Sequence, residues 1–303
     1  MNAIFLRAAC LVGVILLGII LRRTGYFKKE DFIVLSKISI RITLTCAIIR
    51  NFNGNRLDYS MFLLTLIALL FGTTLIILGI VLHKKGGRDA QAFALLNESG
   101  CNIGNFALPF VQNFLGPAGL IAVSLFDVGN SVICLGGSYS TASIIKNPSD
   151  KLTLKRIFKP LLSSVPLMTY IVMVLLSVLH LSLPTEIMGF IDIIADANPF
   201  MAMFMIGVGF ELTGDPEHIS TVVKILLTRY TVAIIFALIS WFALPLPLEY
   251  RQALVIVLLA PIAAAAPGFT AELKGNYGLA STINSISIII SVVLITMALM
   301  LIL

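Results

Sequence analysis

An apolar run long enough to cross a lipid bilayer is interrupted twice in this chain, at matching places in its two halves. The first interruption, NESGCNIGNFALPFVQNF over 97–114, brings asparagines and glycines into the run and then Pro109. The second, APIAAAAPGFTAEL over 260–273, is broken by Pro261, Pro267 and Gly268. Hydrocarbon cannot hydrogen-bond the N–H and C=O groups that a broken helix leaves over. Such backbone therefore survives at membrane depth only where it is buried in protein or lines a cavity. Paired interruptions in the two halves of a chain point to a midplane binding site of the kind secondary transporters use.

The bilayer premise rests on composition. Apolar residues make up 58% of the chain and charged residues 12%, with a mean hydropathy of +1.02. This is the balance of an integral membrane protein, not of a soluble domain with a large core. About ten spans are expected, at 4–21, 32–49, 59–82, 91–115, 117–145, 161–181, 187–210, 220–242, 251–273 and 279–301. Each is near the roughly 20 residues that cross a bilayer as a helix. Connections are short, and the mid-chain link 146–160 is a basic loop with no catalytic or nucleotide-binding module. Arg7 ahead of an apolar run looks like a secretory signal. Arg22 and Arg23 follow that run, however, and no small-residue cleavage site precedes them, so the segment is expected to remain as the first span.

Lysine and arginine placement gives an orientation. Alternate loops carry Arg22, Arg23, Lys28 and Lys29, then Lys84, Lys85 and Arg88, then Lys146, Lys151, Lys155, Arg156 and Lys159, and later Lys224 and Lys274. The opposite side has Arg7, Arg50, Arg56 and Arg251. The positive-inside rule then places the basic loops in the cytoplasm and both termini outside the cell membrane. The net charge of +6 follows from this topology and gives no ground for a nucleic-acid partner.

Pro109 and Pro267 lie 158 residues apart, and that offset carries span starts at 4, 32, 59 and 117 to 162, 190, 217 and 275. The independent starts are 161, 187, 220 and 279. A five-span unit used twice must insert the second time upside down. The expected fold is all-α: two inverted five-helix repeats, 1–145 and 161–303, joined by the basic linker, with helices four and nine broken.

The stretch NESGCNIGNFALPFVQNFLGPAGL followed by LFDVGNS, together with NPFMAMFMIGVGFEL and APIAAAAPGFTAELKGNYGLAST, resembles the auxin efflux carrier family in its short bacterial form. The resemblance covers essentially the whole chain and is strongest over 97–131. It implies the fold of bile acid–sodium symporters, with a scaffold and a transport domain drawn from both repeats and broken helices that cross at prolines. It also implies elevator-type movement of a small organic anion. Pro109, Pro267 and Gly268 would flank the crossing, and Asn97, Asn102 and Asn105 would lie nearest the substrate. The chain departs from the family pattern in having Thr45 where span two usually has a proline, and Ala263 to Ala266 where span nine often has an asparagine. The long cytosolic loop of the plant members is missing.

Physical chemistry weighs the same residues independently. Helix ends facing a break present unpaired N–H groups and partial positive charge, which suits a carboxylate. Asparagine adds donors and acceptors without a buried charge; the alternative is that these asparagines only cap the broken ends. Asp127 falls near the middle of span five, on one helical face with Ser124, Asn130, Ser131 and Cys134. An intramembrane carboxylate is a functional candidate by default: it carries a coupling proton or cation, or it is a permanently paired structural group. The repeat offset takes Asp127 to Ser285, beside Asn284 and Ser287. In span two, Lys37, Arg41 and Thr45 share a face; Arg41 is deep enough to need a partner, with Asp127 or an anionic substrate as candidates. Glu98 stands near the edge of its span, and Cys101, inside the first interruption, is expected to face the aqueous pathway.

Other chemistries find little support. The cysteines Cys10, Cys46, Cys101 and Cys134 lie inside spans without metal-ligand spacing and read as free thiols. No GxSxG, HExxH or GxxxxGK[ST] motif is present, so no enzyme, metal site or bound cofactor is expected. The expected function is secondary transport of a small carboxylate through the lipid bilayer, coupled to H+ or else to Na+, from a monomer or a homodimer. A ligand-binding membrane sensor is the alternative from another class.

Overall fold

The structure, a computed structural model, describes residues 2–55, 62–148, 154–212 and 218–303. Arg56 and Lys151 of the orientation argument lie outside the described residues, as do the side chains of Lys155 and Arg156. The described residues form an all-helical bundle, whose helices satisfy most of their backbone internally as a bilayer demands. In chain order the helices are α1 (Asn2–Arg23), α2 (Asp31–Ile38), α3 (Leu44–Phe52), α4 (Phe62–Leu82), α5 (Gly87–Glu98), α6 (Leu108–Phe114), α7 (Pro117–Ser131) and α8 (Tyr139–Lys146). The second half contributes α9 (Leu154–Leu162), α10 (Val165–Val178), α11 (Thr185–Asp196), α12 (Asn198–Gly209), α13 (Ile219–Phe242), α14 (Leu248–Leu258), α15 (Ala266–Glu272) and α16 (Tyr277–Ile302). Part of the expected mid-chain loop is thus helical, since α9 begins at Leu154.

Among the described residues, seven helical stretches, against about ten expected spans, are long and apolar enough to cross a membrane: Phe5–Arg23, Asp31–Phe52, Phe62–Leu82, Pro117–Lys146, Thr185–Gly209, Ile219–Phe242 and Tyr277–Ile302. The protein is a multi-pass membrane protein. Its surface agrees with lipid as the surrounding solvent: Phe5, Leu66, Leu70, Ile77, Phe190 and Phe242 are exposed, while Ser124, Asn130, Ser285, Ser287 and Ser291 are buried. Two of these stretches contain a π-helical turn, Ser39–Thr43 between α2 and α3 and Val132–Ser138 between α7 and α8. Such turns free backbone groups and recur near functional sites.

The helices pack in two sets. In one, α1 lies against α12, and α3 against α10 and α11. In the other, α4 lies against α5, α7 and α13, while α16 holds α14 and α15. Lipid tails are as apolar as leucine, so helices in a membrane associate by close backbone approach rather than by a hydrophobic drive. The α1–α12 seam works this way. A Cβ added at Gly18 would stand 2.6 Å from Phe204 O, and one at Gly207 would collide with Ile15 O.

The basic loops gather at one end of the bundle. Lys146 pairs with Asp89 at 3.0 Å, Lys29 with Glu211 at 2.9 Å, and Lys224 donates to Leu82 O at 2.7 Å. Gly207→Leu is expected to destabilise the detergent-purified protein by about 1–3 kcal/mol or more through overpacking, read as a lowered unfolding midpoint. Gly13, exposed on α1 with open space at its Cβ, is the control: Gly13→Leu leaves the midpoint unchanged.

Candidate functional site

The two interruptions meet inside the bundle. The first runs from the end of α5 at Glu98 through Ser99 to Asn102 and a π-helical turn, Ile103–Ala107, into α6. The second runs from the end of α14 at Leu258 to the start of α15 at Ala266. Between them Cys101 and Ile262 form an antiparallel bridge. Asn102 N donates to Pro261 O at 2.8 Å, and Ala263 N donates to Gly100 O at 3.3 Å. Backbone that left its own helix is thus satisfied by the other break. Gly100 has φ +82, a conformation that L side chains rarely adopt, and a Cβ there would strike Cys134 Sγ.

Each break is also held by one long helix behind it. On α7, Asn130 accepts from Cys101 N at 2.7 Å and donates to Cys101 O at 2.8 Å. On α16, Asn284 donates to Ile262 O at 3.0 Å, and Ser287 Oγ accepts from Ile262 N at 3.1 Å. A single side chain or a close pair therefore caps the donor and the acceptor of the bridging residue in each break.

A residue the sequence reading passed over ties both breaks together. Arg229 sits near the middle of the 24-residue α13 and is fully buried. Its guanidinium donates to Glu98 O at 2.5 Å, to Ala260 O at 2.9 Å and to Pro261 O at 3.1 Å, with Cys101 Sγ 3.4 Å away. The first carbonyl belongs to the C-terminal residue of α5, and the other two to the unwound segment just past the end of α14, so the guanidinium stands where both helix dipoles leave negative partial charge. A planar fork of donors fits such divergent acceptors as a lysine ammonium cannot. The signal was present in the sequence: a charge in the middle of an apolar span is rare and faces the bundle interior.

The expected site residues separate into distinct roles. A cavity of ≈ 390 Å³ opens beside the crossing and is lined by Asn102, Pro267, Gly268, Asn284 and Ser285, with Arg22, Lys29 and Tyr277 near the basic end. Asn102 is buried as a residue and lines the cavity, and no hydrogen bond of its side-chain amide is found among the described residues. A Cβ at Gly268 would meet nothing, so this wall of the cavity is bare backbone. Ser285 Oγ accepts from Glu211 N at 3.0 Å.

The remaining candidates lie outside that cavity. Asn97 donates to Phe93 O at 2.8 Å and to Thr270 Oγ1 at 3.1 Å, joining α5 to α15. Asn105 accepts from Ser39 Oγ at 3.2 Å, and Pro109 is packed within α6. Asp127 is buried, accepting from Asn130 Nδ2 at 2.9 Å and from Tyr170 OH at 3.0 Å. The Arg41–Asp127 pair considered from sequence does not form: Arg41 is exposed, whereas Asp127 is buried and bonded to Asn130 of α7 and Tyr170 of α10. Cys101 is buried beneath Arg229 rather than facing water, and Cys10 is the exposed thiol.

Glu98, expected near a membrane edge, is fully buried. Neither of its carboxylate oxygens has a hydrogen-bond partner among the described residues, and His83 Nδ1 stands 3.6 Å from Oε1. Burial, and then the nearby Lys224 charge, hold His83, just beyond the end of α4, below the ordinary imidazole range.

No protein-family model matches the sequence, and no curated protein does. Each buried acceptor left unpaired costs about 1–3 kcal/mol, so Arg229→Leu, which strips the carbonyls of Glu98 and Ala260 and leaves Pro261 O only its bond from Asn102 N, is expected to lower the unfolding midpoint far more than a lipid-facing substitution such as Leu227→Ala. Arg229→Lys should recover only part of the loss. An unchanged midpoint in Arg229→Leu would mean that the guanidinium does not hold the breaks.

Proposed function

We propose that the protein is a secondary carrier that moves a small carboxylate across the cytoplasmic membrane by alternating access. The observation that carries this reading is the Asn102 side chain, which lines a ≈ 390 Å³ cavity without a hydrogen bond among the described residues, beside unwound backbone from both breaks. A buried amide without a protein partner is poised for a ligand that supplies donors and acceptors. The cavity has the size of a small-molecule site, and unwound backbone at a helix crossing is how transporters build theirs.

Contacts between helices support two inverted five-helix repeats with an elevator-type division. The pairs α1–α12 and α10–α3 exchange under the repeat, as do α4–α7 with α13–α16, α4–α5 with α13–α14, and α7–α14 with α16–α5. The cavity lies where α2 and α12 of one set face α15 and α16 of the other, which is where relative movement of the sets would open and close it. The gathered basic loops favour a cytoplasmic opening, with both termini outside. In its general plan the carrier is of the kind that the auxin efflux carrier family represents.

Arg229 bears on coupling. In sodium-coupled carriers, unwound carbonyls and half-helix C-termini bind the ion; here a guanidinium already occupies the carbonyls of Glu98, Ala260 and Pro261. This favours protons over sodium, with Asp127 as the carrier of the proton. Asp127 has neutral hydrogen-bond partners, Asn130 and Tyr170, and no cation paired with it among the described residues.

Reconstituted into proteoliposomes, the protein should accumulate a carboxylate under a proton gradient without sodium. Binding without flux would replace the carrier reading with a sensor, and an absolute sodium requirement would overturn the coupling assignment. Asn102→Ala should weaken binding by about 1–3 kcal/mol with the unfolding midpoint retained; unaltered affinity places the site elsewhere. Asp127→Asn keeps the shape but cannot change charge. It should lose gradient-driven accumulation while counterflow exchange persists, and retained accumulation would exclude Asp127 as the coupling group.

A further inference from the structure

A second polar groove lies on the other side of α2, outside the crossing. It has a volume of ≈ 400 Å³ and is formed by Ser36, Lys37 and Arg41 on one wall and Ser163 and Ser164, at the start of α10, on the other, with Leu135 at its back. Lys37 and Arg41 are both exposed, and neither has a hydrogen bond or ion pair among the described residues. They stand on one helical face, four residues apart.

Their depth makes this costly. From Asp31, at the basic end of the bundle, Lys37 lies about 9 Å and Arg41 about 15 Å along the helix at a rise of 1.5 Å per residue. The surrounding surface is apolar: Ile33, Val34 and Ile42 of the same segment and Leu162 across the groove are all exposed. A guanidinium and an ammonium opening onto hydrocarbon require an anion or must reach for the headgroup layer. Ser164 Oγ is partly used, accepting from Leu167 N at 3.4 Å, whereas no hydrogen bond is found for the Ser36 and Ser163 hydroxyls among the described residues.

We propose that this groove binds the phosphate headgroup of an anionic phospholipid from the basic-side leaflet. Lys37 and Arg41 contact the phosphate, the serine hydroxyls contact its oxygens, and an acyl chain lies along Ile33 and Leu135. Charge complementarity selects an anion, and the apolar surround selects one that carries its own hydrocarbon. Basic pockets between membrane helices hold anionic headgroups by this chemistry. The groove joins α2 to the start of α10 and to the π-helical turn that carries Leu135, so a bound lipid would bridge the two helix sets. The inference does not depend on transport and stands or falls separately from it.

The test is native mass spectrometry of the detergent-purified protein titrated with dioleoylphosphatidylglycerol, with dioleoylphosphatidylcholine and inorganic phosphate as separate arms. Phosphatidylglycerol should bind at saturable stoichiometry, and phosphatidylcholine, with the same tails, should not compete. Lys37→Gln with Arg41→Gln should weaken phosphatidylglycerol binding about thirtyfold, the effect of two basic contacts. Lys85→Gln, at an exposed loop lysine, should leave it unchanged. If the double variant does not fold, each single variant should weaken binding about fivefold. Equal binding of phosphatidylcholine, displacement of the lipid by inorganic phosphate alone, or wild-type affinity in folded variants would each overturn the proposal.

Discussion

Everything at the centre of this protein depends on one problem: helices that stop halfway across a membrane leave carbonyl and amide groups that lipid cannot satisfy. The chain meets the demand from within. Arg229 reaches carbonyls at the ends of α5 and α14 together, and the two unwound segments exchange hydrogen bonds between Asn102 and Pro261 and between Ala263 and Gly100. A cation among converging helix C-termini offsets their dipoles. The guanidinium is itself costly to bury, so breaks and arginine are stable only together.

Asn130 and Asn284 extend the same logic outward. Each stands on a long helix behind one break and bonds the backbone of the residue in the bridge, Cys101 or Ile262. Because Asn130 also donates to Asp127, the position of that carboxylate is linked to the geometry of the first break through one amide. Tyr170, from α10 in the other helix set, completes the chain at Asp127. Under the carrier reading, a change of charge at Asp127 is felt both at the crossing and at the boundary between the sets.

How much of this could be read from the sequence varies with the physics involved. The interruptions at 97–114 and 260–273 were plain, because proline, glycine and asparagine disturb a hydropathy pattern at identifiable positions. Asn102, Pro267, Gly268, Asn284 and Ser285 do share one cavity. The division of labour among the asparagines was not legible, since Asn97, Asn102 and Asn105 differ only in which way a kinked backbone turns them. Glu98 was misplaced because an interrupted span defeats counting from its edge. Arg229 was missed for a different reason: its helix is unbroken, and nothing in the α13 sequence itself shows that carbonyls from two other segments converge on it.

The cations near the cavity divide by burial. Arg229 is enclosed and bonded to three backbone carbonyls, so it acts as a fixed part of the scaffold for the site. Arg22 is likewise engaged, donating to Val208 O at 3.0 Å and to Phe210 O at 2.7 Å. Lys29 differs: it pairs with Glu211 at 2.9 Å and lies 5.3 Å from the centre of the Tyr277 ring, but its side chain is 51% exposed. A pair this open contributes about 0–1 kcal/mol, little enough for an arriving carboxylate to replace Glu211. In the proposed carrier, then, Lys29 attracts the anion at the mouth, while selection within falls to Asn102 and the bare backbone at Gly268. Among the described residues that line the cavity no free cation lies deep in it, so in the proposed carrier the anion would be held by dipoles and remain able to leave.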